Sequence, residues 1–205
     1  IKNVGEFQGE FVAQNVKVRE EALFDYRFED FEGFNEDTGL AFKPYTIKNV
    51  GGARVAIIGQ AFPYTPIANP SRFIPDWTFG IQDLRMQEIV DEVRDTEKPD
   101  LVIVVSHNGM DVDLKMASRV TGVDAIFGGH THDGVPAAIP VKNAGGTTLV
   151  TNAGSNGKFL GVMGFDVRGG KVRDFRYRLV PVFANLLPAD PEMQAYIDKV
   201  REPYK

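Results

Sequence analysis

All three histidines of this chain lie in two short motifs, and each motif follows a five-residue run that predicts a buried strand. His107 belongs to Ser-His-Asn-Gly at positions 106–109, and His130 and His132 belong to Gly-Gly-His-Thr-His-Asp at positions 128–133. Open α/β sheets bind their ligands beyond the carboxyl ends of the strands, and imidazole is a common ligand for borderline transition metals. A lone histidine is more often an ordinary surface or core residue, but this pattern predicts that His107, His130 and His132 bind metal.

Polar residues near the histidines are candidates to support them through hydrogen bonds. These candidates are Asn108, Asp111, Asp113 and Asn152. For Asp111 and Asp113, a helix-capping or solvent-exposed role is the favoured alternative, because aspartate is a preferred N-cap residue. No side chain is assigned as a catalytic acid, base or nucleophile from the sequence.

The composition is that of an ordinary globular protein, with 205 residues, 43% hydrophobic residues, 25% charged residues and a net charge of −5. This length fits one α/β domain or part of a larger one. No apolar run approaches the roughly 20 residues of a membrane span, and a mildly acidic chain without a basic stretch argues against nucleic-acid binding. The absence of cysteine excludes disulfides and thiolate ligands. Since the chain begins at Ile1, without an initiator methionine or a secretory signal, we expect it to be a piece of a longer protein.

Apolar runs and turn residues predict a strand-rich chain. Strands are predicted at residues 11–16, 43–48, 53–58, 101–105, 123–127, 147–151, 159–167 and 171–180. The pairs Gly51-Gly52 and Gly169-Gly170 predict hairpin turns. Three prolines within residues 62–70 predict an irregular, stiff loop, because proline removes a donor and restricts the backbone.

Amphipathic segments predict three helices. The clearest covers residues 81–97, with Ile81, Leu84, Ile89 and Val93 near one face; others are expected at 113–120 and from Asp190-Pro191 onward. The resulting β-α-β-α-β succession implies right-handed crossovers and a parallel sheet core, in which residues 53–58, 101–105 and 123–127 are neighbours. The predicted fold class is therefore α/β, with mixed sheets flanked by helices.

The residues around the histidines resemble a known superfamily. Residues 100–133, with Ser-His-Asn-Gly, an aspartate four residues later and Gly-Gly-His-Thr-His, resemble the second half of the calcineurin-like metallophosphoesterase domain of 5′-nucleotidases. Residues 151–161 resemble the glycine-containing segment that follows in the same superfamily. More narrowly, residues 59–70, and also 7–15, resemble the SoxB family of sulfur-oxidation thiosulfohydrolases, which is built on this fold. The resemblance implies an α+β sandwich-type metallophosphoesterase fold, present in part.

The resemblance also implies a function. His107 and His130 would share one divalent ion and His132 would bind a second, with manganese expected from the SoxB family and zinc compatible with the same donors. The implied reaction hydrolyses a terminal sulfonate from a cysteine on the swinging arm of a sulfur-carrier protein and releases sulfate. A periplasmic location follows from the same resemblance, and neither nucleic acid nor membrane is expected as a partner.

One departure from the family pattern limits this expectation. The family takes further metal ligands from an upstream Asp-x-His motif, a Gly-Asp motif and a third segment, and this chain contains no Asp-x-His. We therefore expect residues 1–205 to be the latter half of a catalytic domain, without the upstream ligands or the carboxyl-terminal domain. Such a piece would bind metal weakly or at a partial site, and would be inactive alone. The alternatives are a 5′-nucleotidase-like phosphoesterase and a catalytically inactive fragment or metal-binding module.

Overall fold

The computed structural model describes residues 8–23 and 33–205. In these ranges the strands are β1 (Lys17–Val18), β2 (Tyr45–Val50), β3 (Ala53–Gln60), β4 (Trp77–Thr78), β5 (Leu101–Ser106), β6 (Ala125–Gly128), β7 (Ile139–Asn143), β8 (Gly146–Asn152), β9 (Phe159–Val167) and β10 (Val172–Pro181). The α-helices are α1 (Thr65–Ala68), α2 (Asp83–Thr96), α3 (Met110–Arg119) and α4 (Pro191–Arg201), and the 3₁₀ turns are Glu20–Ala22, Ser71–Phe73 and Glu202–Tyr204. None of the helices in these ranges has the length and apolar character that a bilayer crossing demands.

A six-stranded mixed sheet forms the centre of the fold, in the order β2-β3-β5-β6-β8-β7. The strands β3, β5, β6 and β8 run parallel, while β2 and β7 are antiparallel strands at the two edges. Ile58 pairs with Val104, and Val104 pairs with Ile126. The predicted neighbourhood of these three strands is confirmed, and so is the mixed α/β class.

The two faces of this sheet are covered differently. On β5, Val102 and Val104 face the main core, which contains residues from α2 and α3. Leu101 and Ile103 face the other way, against partly buried residues that include Phe165 of β9 and Val172 of β10. Because both faces are covered near its beginning, β5 is apolar without alternation, as expected of a buried parallel strand.

Helix α2 buries a face that differs from the predicted one. Its buried residues are Met86, Ile89, Val90 and Val93, which share one side through the i, i+3, i+4, i+7 spacing. Leu84 is 75% exposed, so its assignment to the apolar face was wrong.

Both glycine-pair hairpins are confirmed. Gly51 and Gly52 have φ values of 57° and 85°, and Gly169 and Gly170 have values of 59° and 69°. Two-residue turns of this hand need positive φ at both central positions, which glycine adopts without steric cost. The capped terminal helix is also confirmed: the Asp190 carboxylate accepts hydrogen bonds from the first-turn backbone N–H groups of α4, both at 2.9 Å.

Two local predictions were wrong, and one strand was not predicted. Residues 11–16 form no strand. The backbone N–H of Ala13 donates to the Lys43 carbonyl, and that of Gln14 donates to the Gly59 carbonyl. Consecutive residues therefore bond to two different parts of the chain, and no ladder with a single partner strand forms. The proline loop contains the short helix α1, with Pro66 in the first turn, where its missing N–H is not needed. Strand β7 was not predicted.

Candidate functional site

The candidate site lies where the four parallel strands end. Gln60, the last residue of β3, pairs with Ser106 at the end of β5, and Gly128 at the end of β6 pairs with Asn152 at the end of β8. The loops that follow therefore all leave the sheet at the carboxyl ends of its parallel strands. His107 directly follows β5, so the strand-end position expected for the candidate ligands is confirmed for this histidine.

His107 and His130 come together at this end of the sheet. Their ring centroids are 5.2 Å apart, at an interplanar angle of 65°. Imidazole nitrogens bind zinc at about 2.0–2.1 Å, so two rings on one tetrahedral ion have centres about 5 Å apart. Partial burial lowers the pKa of the His107 imidazole, and the charges of His130 and His132 lower it further, which favours the neutral form that binds metal. This pair fits part of a coordination sphere.

The third histidine does not complete a three-ligand group. His132 is exposed and lies close enough for its charge to act on the His107 pKa. Among residues 8–23 and 33–205, no group of three His, Cys, Asp or Glu side chains is placed to hold a metal ion. Within the described residues the three imidazoles therefore do not form one metal-binding group. Their assignment as ligands remains a prediction.

The two glycines before His130 allow the two histidine loops to pack closely. A Cβ atom at Gly128 would lie 2.5 Å from a carboxyl oxygen of Asp113, and one at Gly129 would lie 3.3 Å from Nδ1 of His107. A side chain at Gly128 would therefore displace the Asp113 carboxyl group, and one at Gly129 would push against the His107 ring. His130 and His132 themselves adopt left-handed backbone conformations, with φ values of 73° and 60°.

Asp113 supports the turn that carries His107. Its Oδ1 accepts hydrogen bonds from the Ser106 hydroxyl at 2.6 Å and from the Asn108 amide at 3.1 Å, so it binds the residues on both sides of the histidine. It is fully buried, and its Oδ2 has no hydrogen-bond partner within the described chain. Burial is the main cause that raises the pKa of this carboxyl group to about 6. The hydrogen bonds from Ser106 and Asn108 lower the pKa, and the charge of Asp111 raises it by a smaller amount.

The helix-capping interpretation of Asp113 was therefore wrong. Helix α3 begins at Met110, three residues earlier than predicted, and its N-cap position is Gly109. Asp113 lies inside the helix and faces the core. Asp111 is exposed in the first turn of α3 and supplies no side-chain cap hydrogen bond, so its solvent-exposed interpretation is confirmed.

Asn108 belongs to a buried chain of amides. Its Oδ1 accepts a hydrogen bond from the Gln60 amide at 2.9 Å, and the Gln60 carbonyl oxygen accepts one from the Gln14 amide at 2.7 Å. All three side chains are buried. The amino-terminal segment is thus linked through the end of β3 to the residue that follows His107.

The second histidine loop is held from two sides. The Asn152 amide donates to the Gly129 carbonyl oxygen at 3.3 Å. The backbone N–H of Met110, at the start of α3, donates to the Thr131 hydroxyl at 3.1 Å, and that hydroxyl donates to the carboxylate of Asp133. Asn108, Asp113 and Asn152 thus form hydrogen bonds with residues around the histidines, whereas no side-chain hydrogen bond of Asp111 is found within residues 8–23 and 33–205.

One aromatic residue of the site was not predicted. The Phe62 ring stacks on His130 with centroids 3.9 Å apart and an interplanar angle of 29°, and it meets His107 edge-on at 6.0 Å. Phe62 follows β3 by two residues. The same strand-end rule that identified the histidines pointed to this position, but an aromatic residue alone does not indicate metal chemistry.

Comparisons with known proteins agree with this architecture, although no family model matches the chain. The 5′-nucleotidase of Bos taurus is 30% identical over 178 residues, which are 78% of this chain and 30% of that protein. The structure of sulfate thiohydrolase SoxB from Thermus thermophilus has a TM-score of 0.79 and 29% identity, covering 98% of this chain and 33% of that one. A 5′-nucleotidase precursor from the same species has a TM-score of 0.77 and 27% identity, covering 99% of this chain and 39% of that one. The chain thus spans about a third of the length of these proteins.

Proposed function

Because its homologues are hydrolases of the metallophosphoesterase/5′-nucleotidase superfamily, we propose that this chain is part of a two-metal hydrolase of the SoxB type. The proposed reaction releases sulfate from a sulfonate carried on a protein cysteine. The oxygen of a water molecule bonds to the sulfonate sulfur and gives up its two protons, while the bond to the carrier sulfur breaks and that sulfur leaves as a thiolate. A sulfonate is tetrahedral, anionic and rich in oxygen, like the phosphoryl group on which phosphoesterases act.

The observation that carries this proposal is the position of the segment at residues 59–70. This segment resembles SoxB more closely than it resembles the nucleotidases, and its Phe62 ring contacts both His130 and His107. The part of the chain that distinguishes the two families therefore borders the candidate site, where differences in substrate choice have to arise.

The roles of the chain's own residues follow from their placement. We assign His107 and His130 to one ion and His132 to a second, with manganese preferred and zinc compatible. When bound, such an ion pair activates a water molecule and neutralises charge on the oxyanion under attack. Asp113 holds the turn around His107, and Asn152 holds the carbonyl of the residue before His130.

Three further points belong to the same proposal. The partner is a sulfur-carrier protein with a cysteine-bearing swinging arm, and the location is periplasmic. Two ions need more donors than the three histidines of this chain, including a carboxylate to bridge them, so we propose that residues 1–205 alone hold a partial site and are inactive. The full-length protein would supply the remaining ligands.

The experiment compares two reactions of the full-length protein. Sulfate release from a carrier loaded with thiosulfonate is measured beside phosphate release from a nucleoside monophosphate, in the presence of manganese. We expect faster sulfate release, loss of both the reaction and one bound ion in His107→Gln, and no change in the control Lys115→Gln, an exposed residue of α3. Faster nucleotide cleavage would overturn the SoxB assignment in favour of a phosphoesterase, and full turnover by residues 1–205 alone would contradict the partial-site proposal.

A further inference from the structure

Phe62 occupies a constrained position in front of the two paired histidines. Its ring stacks on the His130 imidazole, with centroids 3.9 Å apart and an interplanar angle of 29°, and lies nearly perpendicular to the His107 imidazole at 6.0 Å. The Tyr64 ring also meets it edge-on, at 5.8 Å. One phenyl ring from the loop after β3 therefore contacts imidazoles from the loops after β5 and β6.

The backbone on both sides of this ring is fixed by hydrogen bonds. Buried Asn15 accepts a hydrogen bond from the Ala61 N–H at 2.8 Å and donates to the Ala61 carbonyl at 2.9 Å. The hydroxyl of Thr65 donates to the Phe62 carbonyl oxygen at 2.7 Å. These hydrogen bonds fix the backbone of Phe62 in front of the imidazoles, so its ring can leave them only by rotation about its own side-chain bonds.

His130 has few other constraints on its ring. It is exposed, and within the described residues no hydrogen bond involves its side chain. Metal-binding imidazoles are usually oriented by a hydrogen bond from the second ring nitrogen to a carboxylate or carbonyl group. Stacking on the ring face restricts the same rotation and leaves both nitrogens, which lie on the ring edge, open to a ligand.

We propose that Phe62 is the positioning residue for His130: it orients the imidazole by stacking, in place of the usual hydrogen bond, and its edge contact steadies His107. The inference about metal binding rests on the proposed function, whereas the inference about ring orientation does not. The two are therefore tested by separate measurements on the same variants.

The first measurement is NMR of the metal-free full-length protein with ¹³C-labelled histidine, in which the His130 signals are assigned by their loss in His130→Gln. Protons above a phenyl face are shielded, so the His130 ring protons should lie upfield in the wild type and in Phe62→Tyr. They should return towards ordinary values in Phe62→Ala and Phe62→Leu. Phe73→Ala is the matched control, since Phe73 is an exposed aromatic residue of the same loop region that contacts Arg72. Unchanged His130 shifts in Phe62→Ala would overturn the proposal.

The second measurement is the dissociation constant for Mn²⁺. Removing a group that orients a metal ligand costs about 10–100-fold in affinity, so we expect at least a tenfold loss in Phe62→Ala and in Phe62→Leu. Phe62→Tyr and Phe73→Ala should bind as the wild type does. Wild-type affinity in Phe62→Leu would show that side-chain volume suffices and would refute stacking as the cause. If the wild type binds no divalent ion, the proposed function fails, and the NMR shifts alone decide whether Phe62 orients His130.

Discussion

Replacing Asp113 with asparagine should change how the stability of the protein depends on pH. The Asp113 carboxyl group is buried, and only one of its two oxygens has hydrogen-bond partners within the described residues. Burial is the main cause that raises its pKa from 3.8 to about 6. Asparagine has the same shape and retains the accepting oxygen, but it carries no charge at any pH.

The sign and size of the effect follow from that pKa. A carboxyl group with a raised folded-state pKa stabilises the fold at pH values below its unfolded pKa, and this contribution is lost as the pH rises through the folded value. A rise from 3.8 to about 6 corresponds to about 3 kcal/mol. The free energy of unfolding of Asp113→Asn, relative to the wild type, should therefore increase by about 3 kcal/mol between about pH 3 and about pH 8.

The assay is urea unfolding of both proteins across this pH range, with a chelator present so that metal binding does not contribute. Titrations of the other groups occur in both proteins and cancel in the difference. Ser118→Ala is the control, because Ser118 is exposed on the same helix and carries no titratable group, so its difference from the wild type should stay nearly constant. If the Asp113→Asn curve runs parallel to the wild-type curve, the carboxylate is not destabilised by burial and the reasoning is refuted.

Three further outcomes are expected. Gly59→Ala should lower the free energy of unfolding by about 3 kcal/mol or more, because the new Cβ would lie 1.9 Å from the Val12 carbonyl oxygen; a loss below about 1 kcal/mol in urea unfolding would contradict this. Gln60→Leu should cost about 2–4 kcal/mol, since it leaves its two buried amide partners unsatisfied, and a neutral effect would show that these amides find other partners. In an NMR titration without metal, the pKa of His107 should lie below 6.5 because of burial and then of neighbouring charge. It should rise in His130→Gln, and an unchanged value would show that His130 exerts no charge effect.

The centre of the fold was predictable because its strands are distinguished by composition alone. Residues 101–105 are apolar without interruption, and the helices on either side of β5 in the chain are amphipathic. Because β-α-β crossovers are right-handed and connections are short, few arrangements are possible for such a succession of strands and helices. Edge elements were harder to predict: β7 contains Pro140 and is largely exposed, and proline is tolerated on a strand only at such an edge.

The candidate site was predictable only as far as chain position determines it. The strand-end rule predicted that His107 and His130 lie at the same end of the sheet, but the contacts that hold them depend on segments distant in sequence. Gln14 and Gln60 are 46 residues apart, and their hydrogen bond exists only because the amino-terminal segment crosses the end of β3. Asp113 was misinterpreted because aspartate near a helix start usually caps it, whereas here Gly109 occupies the cap position.

The left-handed backbone at His130 and His132 has a consequence for directed evolution of this protein. With φ values of 73° and 60°, both positions favour glycine or asparagine on conformational grounds, and an ordinary side chain there costs about 1–2 kcal/mol. Histidine tolerates this conformation better than most side chains, but glycine adopts it without steric cost, so the backbone alone does not select histidine at either position. A library screened for heat resistance alone would enrich substitutions at both positions and discard the imidazoles. A screen that also required metal binding would retain them, so comparing the two pools would separate residues kept for folding from residues kept for chemistry.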